Sequence, residues 1–346
     1  MLLVLISKIY NFFVKFRNKK YDNKTYSSYS VPLPVISIGN LTVGGSGKTP
    51  LTVLIAKELL AMGKKPAVVG RGYKKKSRGE IIVSDGKSIL ADADTAGDEM
   101  LMMAKQIPTV PIVSNSKKYA SAITLSQKFN IDCIIVDDGF QHRILKRDLD
   151  IIIIDRNTID HKNLIPSGLL REPFENLSRA SLIVIHDNVA EAEIFPYIRQ
   201  DQLLVQMTTT TGTPYHIIDG EALSLEEMTF LKIGAIAVSG IANPQRFKDT
   251  LHKSDINVIN HFTFSDHYFY KIKDIQKIDE YITELMGIGT YPAKPFFITT
   301  EKDAVKLIKF APFFQENKLK CIVMPINTEI SKNRELLIDK LQKLVL

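Results

Sequence analysis

The chain has 346 residues, 45% of them hydrophobic, which is more than one ordinary core needs and excludes a disordered protein, so about two domains are expected. Lysine and arginine number 45 against 38 acidic residues, a net charge of +7 that suits an anionic substrate, a membrane surface or nucleic acid without choosing among them. The two cysteines, Cys133 and Cys321, stand in apolar runs without metal spacing and read as buried thiols in a reducing compartment, not as a disulfide framework.

The N-terminal run MLLVLISKIYNFFVKF lacks the charge-first order and small-residue cleavage site of a secretory signal. It is also shorter than a membrane span and carries Lys8 and Lys15 inside it. At helical spacing Leu2, Leu5, Ile6, Ile9, Phe12, Phe13 and Phe16 make one stripe with the lysines off it, which predicts an amphipathic interfacial helix over residues 1–24. The same amphipathicity also serves a helix docked on the protein's own core. Because this helix lies outside the expected nucleotide fold, it is expected to leave nucleotide binding untouched.

From residue 31 the pattern becomes strand, Gly-rich turn and helix: VISIGN, then PLTVLIAKELLAM closed by Gly63. The runs PAVVG, PIVS, CIIVD, DIIII and SLIVI follow as near-continuous apolar segments, the mark of strands buried on both faces of a parallel sheet. These place a first α/β domain at 31–202. The Thr-rich alternation about Gly212 predicts a β-hairpin linker over 203–220 that acts as a hinge. The βαβ rhythm resumes near Leu231, so a second, smaller α/β domain is expected over 221–346.

The stretch from Thr42 to Thr49 (Thr42, Val43, Gly44, Gly45, Ser46, Gly47, Lys48, Thr49) follows the phosphate-loop pattern except for its first glycine. Its glycines let backbone N–H groups turn onto phosphate oxygens, and the following helix adds its positive end. Lys48 can then reach the β- and γ-phosphates and Thr49 can ligate Mg²⁺. A partner carboxylate for the metal belongs at the end of an apolar strand, where Asp137 and Asp138 stand. Asp155 ends another strand and reads as a turn or cap. Arg71 opens a basic run that serves either a ligand or solvent. Asp98 and Glu99 begin a helix, where acids are ordinary caps. Arg171 and Glu172 precede a proline in a loop, as a clamp for phosphate or metal or as a surface ion pair.

Taken together, the stretches VISIGNLTVGGSGKTP, GRGY, AGDEM, VDDGFQHR, PSGLLREP, SGIANPQRF, FSDHY and TTEKDAVK resemble those of the tetraacyldisaccharide 4'-kinase family of lipid A biosynthesis, in order and over nearly the whole chain. The resemblance implies a P-loop NTPase-like parallel-sheet domain and an ATP- and Mg²⁺-dependent kinase at the cytoplasmic face of the inner membrane, peripheral or monotopic. Its partners would be a lipid-linked disaccharide substrate and the membrane, with no nucleic acid. It further implies that Thr42 to Thr49 cradle ATP, with Lys48 neutralising charge. Asp138, with Asp137 and Glu172, would hold or position the metal alongside Thr49. Asp98 of the GDE motif would pair with His267 of the DH motif as the proton acceptor. Arg71, His142 and Arg171 are candidates for charge stabilisation or acceptor contacts. The loop also resembles that of partitioning-type ATPases, which makes a membrane-associated nucleotide switch the rival reading; those carry an early loop lysine where this chain has Thr42 and Val43.

Overall fold

The computed structural model describes residues 2–288 and 294–346; Met1, the first residue of the expected N-terminal segment, and 289–293 of the expected second domain lie outside the described residues. Residues Met1–Thr208 and Thr328–Leu346 form one compact unit and Thr209–Asn327 another.

The first unit contains strands β1 (Val35–Asn40), β2 (Pro66–Gly70), β3 (Ile81–Asp85), β4 (Pro111–Ser114), β5 (Cys133–Asp137), β6 (Leu149–Ile154), β7 (Leu182–His186) and β8 (Leu203–Thr211). Its helices are α1 (Leu2–Asp22), α2 (Lys48–Ala61), α3 (Ala93–Ala96), α4 (Asp98–Gln106), α5 (Lys118–Lys128) and α6 (Arg156–Asp160). The second unit contains β9 (Tyr215–His216), α7 (Leu225–Ile233), β10 (Ala235–Ser239), α8 (Pro244–Lys253), β11 (Val258–Thr263), α9 (Ile272–Gly287), β12 (Phe296–Thr300), α10 (Glu301–Leu307), α11 (Ala311–Glu316) and β13 (Cys321–Met324). The chain ends with β14 (Ile326–Lys332) and α12 (Arg334–Val345).

The first sheet runs β14-β8-β7-β6-β1-β5-β2-β4-β3. Strand β1 lies between β5 and β6 and is parallel to both, while β3 is the antiparallel edge. The alternation of side chains along each strand feeds two cores. Ile36 and Ile38 join Leu51 and Ile55 of α2, Met100 and Met103 of α4, and Leu337 and Leu341 of α12 on one face. Val35, Ile134 and Val136 meet Ala122 and Leu125 of α5 on the other. Having both faces covered explains why the central strands are apolar along most of their length, with polar residues mainly at their ends. Strand order reverses at β1, with β2 to one side and β6 and β7 to the other, which makes the carboxyl ends of the central strands the natural ligand crevice. Cys133 and Cys321 are both buried and free, and burial pushes the Cys133 thiol up to about 12.

The second unit is built likewise on a sheet ordered β11-β10-β12-β13-β9, parallel except for β9. Leu231 of α7 and Phe247 and Leu251 of α8 cover one face. Ile275, Ile278 and Ile282 of α9, with Phe314 of α11, cover the other.

Two sequence expectations are corrected. Residues 203–220 do not form a hairpin: β8 lies parallel to β7 in the first sheet, and β9 pairs with β13 in the second. Gly212 makes no tight turn there; its N–H donates to Pro325 O at 2.9 Å and a side chain would strike the Pro325 ring. The Thr-rich run is the end of strand β8, and the next strand, β9, belongs to a different sheet. The second domain also does not run to the C-terminus, because 328–346 return to the first unit. There α12 buries Leu337, Leu341 and Val345, and Arg334 forms a two-pronged ion pair with Glu58 of α2 at 3.0 and 2.6 Å.

Helix α1 shows both of its faces plainly. The stripe Leu2, Leu5, Ile6, Ile9, Phe12, Phe13 and Phe16 is 41–69% exposed, while Ser7, Val14 and Asn18 are buried. The helix therefore docks through a mainly polar side and leaves the apolar stripe outward. No helix among the described residues is long and apolar enough to cross a membrane.

Candidate active site

The loop after β1 explains its missing glycine. Thr42 forms an extended bridge with Leu170, and the Val43 N–H donates to Leu169 O at 2.8 Å. Thr42 is buried and its Oγ1 accepts from Asn40 Nδ2 at 2.9 Å. That position is a strand-like splice to 169–171, which any L-residue adopts, so glycine is not needed. The turn comes later. Gly44 and Gly47 have φ of 102° and 89°, and Gly47 caps α2 with no side-chain partner for the helix's first N–H groups. A helix start of this kind, with its partial positive charge, is a ready anion site.

His186, at the end of β7, braces the loop from behind. Its Nε2 lies 3.1 Å from the Ser46 carbonyl, an acceptor, so that nitrogen carries the proton and donates. This holds the Ser46 carbonyl to the protein side of the loop.

Lys48 opens α2 and reaches Asn40 Oδ1 at 3.2 Å, Gly44 O at 3.4 Å and Asp138 Oδ1 at 3.7 Å. Thr49 follows it in the first turn. Asp137 and Asp138 end β5, as expected, but they face different partners. Asp137 is buried and accepts from Thr52 Oγ1 of α2 at 3.0 Å. Burial first, then the charges of Glu99 and Asp138, raise it to about 6. Asp138 takes a left-handed backbone (φ 51°) that turns its carboxylate toward Lys48 and Arg171. Arg171 binds it with two prongs, at 3.0 and 2.8 Å, and also grips Asn40 Oδ1. Burial acts upward on Asp138, but the charge and hydrogen bonds of Arg171, with Lys48 and Lys118, hold it below the usual carboxylate range. Lys118, at the start of α5, is buried and donates to the Asp137 and Asp138 carbonyls at 2.8 and 2.7 Å, fixing the strand end.

The start of α4 joins the same strand ends. Gly97 packs against Gly72, where a side chain would sit 2.9 Å from the Gly72 Cα, so the AGDE and GRGY segments must touch. Asp98 is buried and its Oδ1 accepts from the Glu99 N–H at 2.9 Å; Gly97, not Asp98, is the cap residue. Arg71, from GRGY, is exposed, with its guanidinium 5.9 Å from the Tyr73 ring. His142 stacks on Tyr119, which stacks on Tyr29. Burial, with the charges of Lys118 and Arg147, pushes His142 down to about 4, so it is neutral at pH 7.

Glu172 is not free to serve a metal. It is fully buried, and its two oxygens accept from Arg17 at 2.9 Å, Asn18 at 3.0 Å, Asn176 at 2.7 Å and Arg179 at 2.7 Å. Four donors saturate it, so it fastens α1 to the loop. Asp155 caps α6 through Thr158, as its position suggested. His267 lies in the second unit, buried and in a left-handed conformation (φ 59°). Its Nε2 accepts from Lys302 Nζ at 3.1 Å, which puts its proton on Nδ1, and Lys302 also binds Asp266 at 3.0 Å.

A family model described as tetraacyldisaccharide-1-P 4'-kinase matches residues 1–345. The chain belongs to that family. It is 38% identical over 325 residues to the tetraacyldisaccharide 4'-kinase of Halothermothrix orenii, covering 88% of this chain and 82% of the relative. To that of Pelodictyon phaeoclathratiforme it is 34% identical, over 97% of this chain and 95% of the relative. Its fold is similar to that of LpxK from Aquifex aeolicus, crystallised in complex with ATP, with a TM-score of 0.78, 28% identity and coverage of 99% and 98% of the two chains.

Within this family member the first unit gathers Lys48, Asp137, Asp138, Arg171 and the start of α4 at one end of the sheet. The residues that sequence reading missed are Asn40, Lys118 and His186. Asn40 ends the strand just before the loop, inside the stretch VISIGNLTVGGSGKTP, but no role was read from it; His186 ends a strand without a motif, and Lys118 sits in the unremarkable run SNSKKYA. Only the strand order brings His186 to the loop and Lys118 to the end of β5.

Proposed function

We propose that the chain transfers the γ-phosphate of ATP to the 4'-hydroxyl of a tetraacyldisaccharide 1-phosphate, giving lipid IV-A. The observation that carries this reading is the intact phosphate loop, with Lys48 beside Asp138, in a chain whose whole length belongs to the 4'-kinase family. The family and its relatives favour this kinase over the partitioning-type switch.

The loop N–H groups from Gly44 to Thr49 and the start of α2 would bind the phosphates, and Lys48 would neutralise charge on the transferred group. Mg²⁺ suits the donor set, since it takes oxygen ligands and completes its shell with phosphate and water. Among the described residues no group of three or more His, Cys, Asp or Glu side chains converges, so an all-protein cage is not the arrangement here. Thr49 and Asp138 would hold the ion, with Asp137 behind them; bound there, it supplies charge neutralisation at the β- and γ-oxygens. Asp98 is assigned as the acceptor of the sugar hydroxyl's proton, with His267 acting in the same step. Arg71 and His142 are assigned to the acceptor, His142 as a neutral hydrogen-bonding group. The outward stripe of α1 and its lysines suit the cytoplasmic face of the inner membrane, with the helix lying in the interface.

The test is transfer of radiolabelled phosphate from ATP to the purified disaccharide acceptor in detergent micelles, with Lys48→Ala alongside. Labelled lipid from the wild type and none from Lys48→Ala is expected. ATP hydrolysis stimulated by vesicles alone, with no labelled lipid, would favour the switch instead.

A further inference from the structure

We propose that α1 is part of the phosphate site and not only an attachment to lipid: Tyr10 and Glu172 are positioning residues for Arg171. The docked face of the helix is mainly polar, with Val14 the buried apolar exception, and its bonds converge on one loop. Ser7 Oγ donates to Leu164 O at 3.0 Å and lies 2.8 Å from Ser167 Oγ. Tyr10 OH donates to the Arg171 carbonyl at 2.8 Å. Arg17 and Asn18 bind the Glu172 carboxylate, whose other donors are Asn176 and Arg179.

The backbone of Arg171 is therefore held on both sides. Its N–H donates to the O of Leu41, the residue just before the phosphate loop, at 2.6 Å, and its carbonyl receives Tyr10. The side chain that leaves this clamped residue grips Asp138 and Asn40, and Asn40 in turn accepts from Lys48. Arg143 makes a second tie, from the segment after Asp138 back to Asn18 O at 3.1 Å and Asp22 at 2.7 Å. A helix that served only to hold lipid would need none of these bonds, and a fully buried carboxylate is a costly way to fasten one. The arrangement makes sense when the geometry of Arg171 depends on the helix being seated.

The inference rests on the nucleotide reading above. The experiment uses the full chain in detergent micelles and reads the affinity for a fluorescent ATP analogue without acceptor. Sedimentation with phosphatidylethanolamine–phosphatidylglycerol vesicles is measured in parallel. Tyr10→Phe keeps the ring and removes only the donor. It should pellet like the wild type yet bind the analogue about 3- to 10-fold more weakly, the scale of one lost hydrogen bond in a partly buried setting. Glu172→Gln should weaken binding further, and Tyr10→Phe alone carries the test if that variant does not fold. Because Tyr10 acts through Arg171, adding Tyr10→Phe to Arg171→Ala should cost nothing more. Wild-type affinity in Tyr10→Phe, or losses that multiply with Arg171→Ala, would overturn the proposal while leaving the nucleotide reading in place. A wild-type chain that binds no analogue would overturn both.

Discussion

The three glycines of the phosphate loop look alike in the sequence, but the structure ranks them. Alanine at Gly45 needs no left-handed backbone and meets nothing within 4 Å, so Gly45→Ala should leave the melting temperature within about 2 °C of wild type. Gly44 has φ of 102° and open space, so Gly44→Ala bears the left-handed strain alone, about 1–2 kcal/mol. Gly47, at φ 89°, bears the same strain, and its new Cβ would sit 3.1 Å from His186 Nε2 and 3.4 Å from Ile153 Cδ1. Pushing His186 aside also breaks its bond to Ser46 O, worth about 0.5–1.5 kcal/mol, for a total of about 1.5–3.5 kcal/mol. At about 2–4 °C per kcal/mol for a unit of roughly 200 residues, Gly47→Ala should melt about 3–14 °C lower and Gly44→Ala about 2–8 °C lower. The assay is thermal unfolding by circular dichroism without nucleotide, which keeps phosphate contacts out of the comparison. Equal losses at all three positions, or Gly45→Ala falling furthest, would refute both the loop backbone and the brace assigned to His186.

Asp98→Ala and His267→Ala should each lower kcat about 10²–10⁴-fold with the KM for ATP little changed, and the double variant should be scarcely worse than the poorer single. Independent, multiplicative losses in that four-corner cycle would remove His267 from the proton-transfer step. Replacing Phe12 and Phe13 together by aspartate should release the protein from anionic vesicles in a sedimentation assay, because both rings lie on the exposed stripe; undiminished pelleting would rule that stripe out as the membrane contact. In the second unit, the hydrogen bond from Lys320, then the Ser224 N–H and His216, lower Glu227 to about 2. A lowered carboxyl stabilises above its unfolded pKa and loses that contribution as pH falls toward 2. Discounted for its solvent-facing site, Glu227→Gln should therefore cost about 0.5–1 kcal/mol at pH 7. The gap to wild type should close on acidification, and a gap that persists at pH 2 in thermal unfolding would exclude the charge account.

Much of the site was legible in the sequence because its signals are short. A glycine turn followed by Lys48 and Thr49, an apolar strand ending in Asp137 and Asp138, and the closing Gly63 each depend on a few neighbouring residues. The same holds for the α1 stripe, since helical spacing alone sorts Leu2 to Phe16 onto one face. What those residues do to one another was decided elsewhere. Asp137 and Asp138 read as an equivalent pair, yet Thr52 takes one and Arg171 the other, because the left-handed backbone at Asp138 turns the two side chains apart.

Glu172 looked like a ligand until α1 brought Arg17 and Asn18 to it from more than 150 positions away along the chain. The return of 328–346 to the first unit is of the same kind. An amphipathic helix advertises that it will bury Leu337 and Leu341, but not against which sheet. Local sequence fixes backbone conformation and which face turns inward, because both depend on neighbours within a few residues. The choice of packing partner is a competition among all the apolar and polar surfaces of the chain. The fold alone settled that competition when it placed α12 on the first sheet and the polar face of α1 on the loop that holds Arg171.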